Sequence, residues 1–270
     1  MAASLPPKDA ENLAKSGPWT DLGLTLPIFV GYHLGVVFLP MRNAADVVTR
    51  ELVTLANDSL LTYGGLTLAI GAAYVGILAM LGRGRALHWD RFVTVALEGI
   101  IYAVAMRLSA IYVVGQLFVA PGSGTVAQGG VLSSTELWEL VPGAVNPLLM
   151  VTDGGFGARF AGLIMSFGAG FYEEVAFRVI AFGLGLKLVL LLFPQPIPLQ
   201  RALTAAGWAV LVAVVFSGWH YVGPYGDPFD ARSFVFRAVC GVIFTIIYHF
   251  RGFAPAVWTH ALYDAWVLVL

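Results

Sequence analysis

The sequence predicts an all-α, polytopic membrane protein, a bundle of about eight transmembrane helices. Three observations carry this. The 270-residue chain is 59% hydrophobic and only 11% charged. Its mean hydropathy is +0.81, too apolar for an ordinary soluble domain. Its apolar stretches recur in lengths of ~20 residues, enough for a helix at 1.5 Å per residue to cross a ~30 Å hydrocarbon core. A net charge of −1 with scattered basic residues gives no footprint for nucleic acid. The single cysteine, Cys240, lies in an apolar run, so it reads as a buried inert thiol and excludes an intrachain disulfide.

Taken in order, the expected spans are 22–41, 60–82, 92–119, 156–178, 179–193, 202–222, 233–250 and 254–270. Residues 1–21 read as a cytoplasmic N-terminal segment, and 22–270 as one transmembrane domain. No small-residue cleavage signature follows the first apolar run, which predicts an uncleaved first span. The stretch Pro121–Ser134 reads as a loop. Ser133 with Glu136 fits a capping box opening a short surface helix through Leu140 that carries Trp138. Lys8, Lys15, Arg83, Arg85 and Arg91 precede or join early spans, whereas 120–155 holds no Lys or Arg, which places the N-terminus inside. The stretch 156–193 allows two short spans broken near Gly183 and Gly185, or one long tilted helix; two are preferred.

Ionisable residues inside these runs are the informative ones, since each costs about 2.5–3.5 kcal/mol at bilayer depth on insertion scales. Glu173-Glu174-Val175-Ala176-Phe177-Arg178 holds three. Glu174 and Arg178 stand at i and i+4, on one face, and can pair. Glu173 is turned about 100° away and lacks a local cation, as a general base requires. His220 ends Phe216-Ser217-Gly218-Trp219-His220, with Phe216 one turn earlier; His260 and Asp264 again stand at i and i+4. Each signal alone fits a bland structural role: a neutralised ion pair, an interfacial histidine, a buried hydrogen bond. Together, on three separate apolar helices, they describe a site assembled between helices. Glu173, His220, His260 and Asp264 also offer nitrogen and oxygen ligands suited to zinc or manganese, although His-Glu-x-x-His is absent. Glu98 and Arg107 lie nine positions apart, too far for a direct pair, and read as structural, as do His33, His88 and His249.

The order Glu-Glu-x-x-x-Arg, Phe-x-x-x-His, His-x-x-x-Asp resembles the type II CAAX prenyl endopeptidase and bacteriocin-processing family of intramembrane proteases (CPBP) over residues 156–270. The resemblance implies about eight transmembrane helices and glutamate-dependent peptide hydrolysis with no required metal or other cofactor. By this likeness Glu173 and His220 would activate water, His260 and Asp264 would hold the oxyanion, and Glu174, Arg178 and Phe216 would support the site. In the prenyl-protein proteases the last motif commonly ends in Asn. An ionised Asp264 cannot donate, so it is expected to orient His260 instead. The implied partners are a lipid bilayer and a membrane-anchored substrate: a CAAX-like tail, a leader peptide or a C-terminal sorting segment, with a non-prenylated substrate ranked first. The expected location is a bacterial or archaeal cytoplasmic membrane. A non-enzymatic scaffold and a proton-coupled transporter are the competing classes.

Overall fold

The computed structural model describes residues 18–39, 59–81, 89–118, 155–222 and 226–269. Seven helices build it: α1 Pro18–Gly35, α2 Leu60–Leu81, α3 Trp89–Phe118, α4 Phe156–Leu192, α5 Pro198–Trp219, α6 Ala231–Arg251 and α7 Phe253–Val269. Five of them, α1 (continued to Phe38) and α3 to α6, are long and apolar enough to cross a membrane. The all-helical bundle expected from the sequence is therefore what forms. The loop Pro121–Ser134, the Ser133–Leu140 helix with its Trp138, the basic residues Lys8, Lys15, Arg83 and Arg85, and His88 lie outside the described residues.

One boundary differs from expectation. Residues 156–192 are a single helix, with no break at Gly183 or Gly185. Both glycines instead make room for neighbours. A Cβ on Gly185 would lie 2.9 Å from the Trp208 ring, and one on Gly183 would lie 3.0 Å from the Tyr248 hydroxyl. Over Ala169–Glu173 and Val175–Leu184 the winding widens to π-helical, a departure that recurs at functional sites. Trp208 Nε1 donates to the Ala181 carbonyl at 3.0 Å, supplying a partner to this irregular stretch.

The shortest of these helices is the central one. α7 packs against α1, α3, α4 and α6, and its residues Phe253–Val257 and Thr259–Ala261 are buried. Pro255 sits in its first turn, where a missing N–H costs little. Small residues permit the close approach: a Cβ on Gly99 of α3 would meet the α7 backbone at Thr259 N, 3.2 Å away, and one on Gly170 of α4 would lie 2.7 Å from Ala261 Cβ. Such stripes are how helices associate in lipid, where no hydrophobic effect drives them together. Gly168 makes the same kind of room for Tyr32, whereas Gly218 has no neighbour within 4 Å. The turn from α6 to α7 is made by Gly252 at φ 103°, a left-handed conformation that favours glycine. The Asp21 carboxylate of α1 accepts the following Phe253 N–H at 2.7 Å.

Charges away from the centre find partners on other helices. Glu98 of α3 pairs with Arg251 at the end of α6, with Nε 3.3 Å from Oε2, and the Arg107 guanidinium lies 4.6 Å above the Trp266 ring. His249 packs between Phe182 and Phe250. His33 is a core residue: its Nδ1–H donates to the Phe29 carbonyl at 2.9 Å, so Nε2 accepts from the Tyr172 hydroxyl at 2.8 Å. Cys240 is buried, as expected.

Candidate active site

Three helices deliver the motif residues to one place. The widened stretch of α4 brings Glu173 and Glu174, the C-terminus of α5 brings His220, and the middle of α7 brings His260 and Asp264. Glu174 and Arg178 pair along α4, with Nε 3.1 Å from Oε2, and both are fully buried. The Arg178 guanidinium lies over two aromatic faces set nearly at right angles, 4.5 Å from Phe216 and 4.9 Å from Phe244. Phe244 of α6 also stacks on His260, centroids 4.5 Å apart at 21°. The Phe-x-x-x-His motif thereby acquires a physical reason: Phe216 cushions the arginine while its carbonyl accepts from His220 Nδ1 at 3.0 Å.

Hydrogen bonding fixes both imidazoles. A carbonyl only accepts, so the proton of a neutral His220 sits on Nδ1 and the Nε2 lone pair is left towards Glu173 Oε2, 3.9 Å away. His260 Nδ1 lies 2.8 Å from Glu174 Oε1, and a carboxylate likewise requires the donor to be the ring. His260 Nε2 then faces Glu173 Oε2 at 3.9 Å and Asp264 Oδ2 at 3.5 Å. The carboxylate that fixes the His260 Nδ1 proton is therefore Glu174, while Asp264, expected to orient the ring, lies 3.5 Å from its Nε2. One helical turn along α7 carries Asp264 to the Nε2 edge, while the Nδ1 edge is met by Glu174 from α4.

The two 3.9 Å separations exceed direct hydrogen bonds and are of the size that one bridging molecule spans. Exposure divides the cluster. The side chains of Glu174, Arg178 and His260 are 0%, 0% and 5% exposed, against 26% for His220 and 22% for Asp264. Access thus comes from the side of His220 and Asp264. Among the described residues, no group of three or more His, Cys, Asp or Glu is arranged to hold a metal ion. An apolar cavity of about 470 Å³ lies elsewhere, lined by Ile100, Val104, Leu262 and Trp266 among others. Leu262 and Trp266 stand two positions out of phase with His260 and Asp264, so this cavity belongs to the opposite face of α7.

Of the residues singled out in the sequence, Glu173, Glu174, Arg178, Phe216, His220, His260 and Asp264 all meet here. Phe244 and the pair Tyr172–His33 were missed: nothing in an apolar run marks one phenylalanine, and Tyr172 and His33 are 139 positions apart. Neither a curated protein nor a solved structure matches the chain significantly. Residues 156–266 match the family model described as Type II CAAX prenyl endopeptidase Rce1-like, which spans all three motifs and the helices α4 to α7 that carry them. Over residues 156–266 this integral membrane protein is therefore similar to the Rce1-like type II CAAX prenyl endopeptidases, a family of proteases.

Proposed function

We propose that the protein is a glutamate-dependent intramembrane endopeptidase that cuts a membrane-anchored protein or peptide near its membrane-attached end. The observation that carries the reading is one carboxylate oxygen, Glu173 Oε2, equidistant at 3.9 Å from the Nε2 atoms of His220 and His260. A water held by Glu173 and His220 loses a proton to them as its oxygen attacks the scissile carbonyl carbon. The carbonyl oxygen, now an oxyanion, accepts a hydrogen bond from His260 Nε2–H. That donor exists when the ring carries both protons, because Nδ1–H is committed to Glu174; the carboxylates of Glu173 and Asp264 beside Nε2 favour the charged ring. When the tetrahedral intermediate collapses, the C–N bond breaks and the proton taken from water passes to the leaving amine.

Arg178 neutralises Glu174 and keeps it in place, so that Glu174 holds His260 instead of competing as a base. Asp264 at the accessible edge stands where the prenyl-protein enzymes of the resembling family commonly have Asn, which ranks a non-prenylated anchored substrate first. The basic early segments place the N-terminus on the cytoplasmic side.

Mass spectrometry of protein termini in membranes of cells expressing the wild type or Glu173→Gln at matched levels tests this. New termini that disappear in the variant are the expected result and identify the substrate class. Identical termini, with both proteins present and folded and a cleavable family substrate in the same cells, would overturn it.

A further inference from the structure

Between Ser233 and Phe250 the only Lys, Arg, Asp or Glu is Arg237. A cation alone in such an apolar run is costly in a membrane and calls for a partner. Its partner is Asp227, in the segment joining α5 to α6: Nη2 lies 2.6 Å from Oδ2, and both side chains are 15% exposed. The backbone N–H of that same Asp227 donates to the His220 carbonyl at 2.8 Å. His220 caps α5, where helix carbonyls have no intrahelical donor and depend on such outside partners.

Other contacts fasten the same corner. The Arg237 guanidinium lies 5.3 Å from the Tyr221 ring centroid, and the Tyr221 hydroxyl donates to the Asp230 carbonyl at 3.3 Å. Ser217 Oγ donates to the Phe234 carbonyl at 2.7 Å, and Asp230 caps the start of α6 through Ser233 N at 2.8 Å. The backbone on both sides of His220 is thus tied to the first two turns of α6. The Asp227 N–H bond to the His220 carbonyl puts the tie beside the accessible edge of the site.

We propose that Arg237 is a positioning residue for His220: its ion pair with Asp227 holds the segment after α5 against α6 and fixes the imidazole opposite Glu173. The inference rests on the reading of His220 as the proton-accepting partner of Glu173. The pair does not touch the reacting atoms; it acts through the Asp227 N–H and the His220 carbonyl.

Carbethoxylation of individual histidines by diethyl pyrocarbonate, read by mass spectrometry on the full-length protein in membranes, tests positioning without requiring cleavage. Arg237→Gln and Asp227→Asn are each expected to raise labelling of His220 severalfold while buried His33 and His260 keep their wild-type rates; Arg237→Lys keeps His220 protected. Unchanged His220 labelling in Arg237→Gln overturns the proposal. If His33 and His260 are unmasked too, the exchanged pair Asp227→Arg with Arg237→Asp decides: restored protection of His220 supports the tie, and continued exposure refutes it. Once a cleaved substrate is in hand, product formation should fall about 10²-fold in Arg237→Gln, as misplacement of a reacting group by ~1 Å would do, and recover in the exchanged pair. Failure of Glu173→Gln to alter any terminus would count against proteolysis and leave the labelling result standing on its own.

Discussion

The two halves of the site are built on opposite terms. The inner half, Glu174, Arg178 and His260, is sealed from the surroundings, and its charges are engaged with one another and with the faces of Phe216 and Phe244. The outer half sets the reachable His220 and Asp264, 26% and 22% exposed, around the buried carboxylate of Glu173, at 3.5–3.9 Å across the Nε2 edges of the two imidazoles. Adjacent glutamates therefore do different work. Short contacts and full burial make a brace, whereas longer gaps and partial exposure leave room for a reactant.

The largest way to break this contrast is at the brace. Arg178→Ala leaves the buried Glu174 with His260 alone, and loss of one partner of a buried pair costs about 3–5 kcal/mol; the drop should appear in thermal unfolding of the protein in membranes or detergent. Arg178→Lys will not restore the wild type, because a compact, strongly hydrated ammonium replaces the delocalised guanidinium that lies over the faces of Phe216 and Phe244. A smaller loss is expected where α4 meets α7: Gly170→Val drives a side chain into Ala261, costing about 1–3 kcal/mol by overpacking. The same unfolding assay measures it, and a stability equal to wild type would mean the helices do not meet so closely. Tyr172→Phe removes the hydroxyl that donates to His33 Nε2 between α4 and α1, for about 0.5–1.5 kcal/mol.

Much of the brace could be read from the chain because its ties are local. Glu174 with Arg178, and His260 with Asp264, are i,i+4 pairs that any helix brings together. The bond that gives His260 its tautomer joins residues 86 positions apart, so spacing alone showed Asp264 and not Glu174. The helices were legible from hydropathy, yet Gly183 and Gly185 read as a break because sequence shows the missing side chain and not the ring or hydroxyl that fills its place. Phe244 was illegible for a related reason: it differs from its apolar neighbours only in what lies above and below it. Arg237 did carry a signal, as the sole fixed charge of its run, and its tie to Asp227 gives that signal a cause.

The smallest effect is expected at Asp264. Since Glu174 and not Asp264 holds the Nδ1 edge of His260, Asp264→Asn should leave the unfolding temperature unchanged and retain cleavage at a reduced rate, checked by product yield in membranes. Complete loss with His260 undisturbed would show that a carboxylate is required at the Nε2 edge.

The division between brace and reactive edge is tested most directly by comparing Glu173→Gln and Glu174→Gln, measuring unfolding temperature and product formation on the same samples. The account predicts that Glu173→Gln keeps the wild-type unfolding temperature and forms no product, while Glu174→Gln loses stability together with activity. Product from folded Glu173→Gln, or equal falls in stability for the two variants, would contradict it.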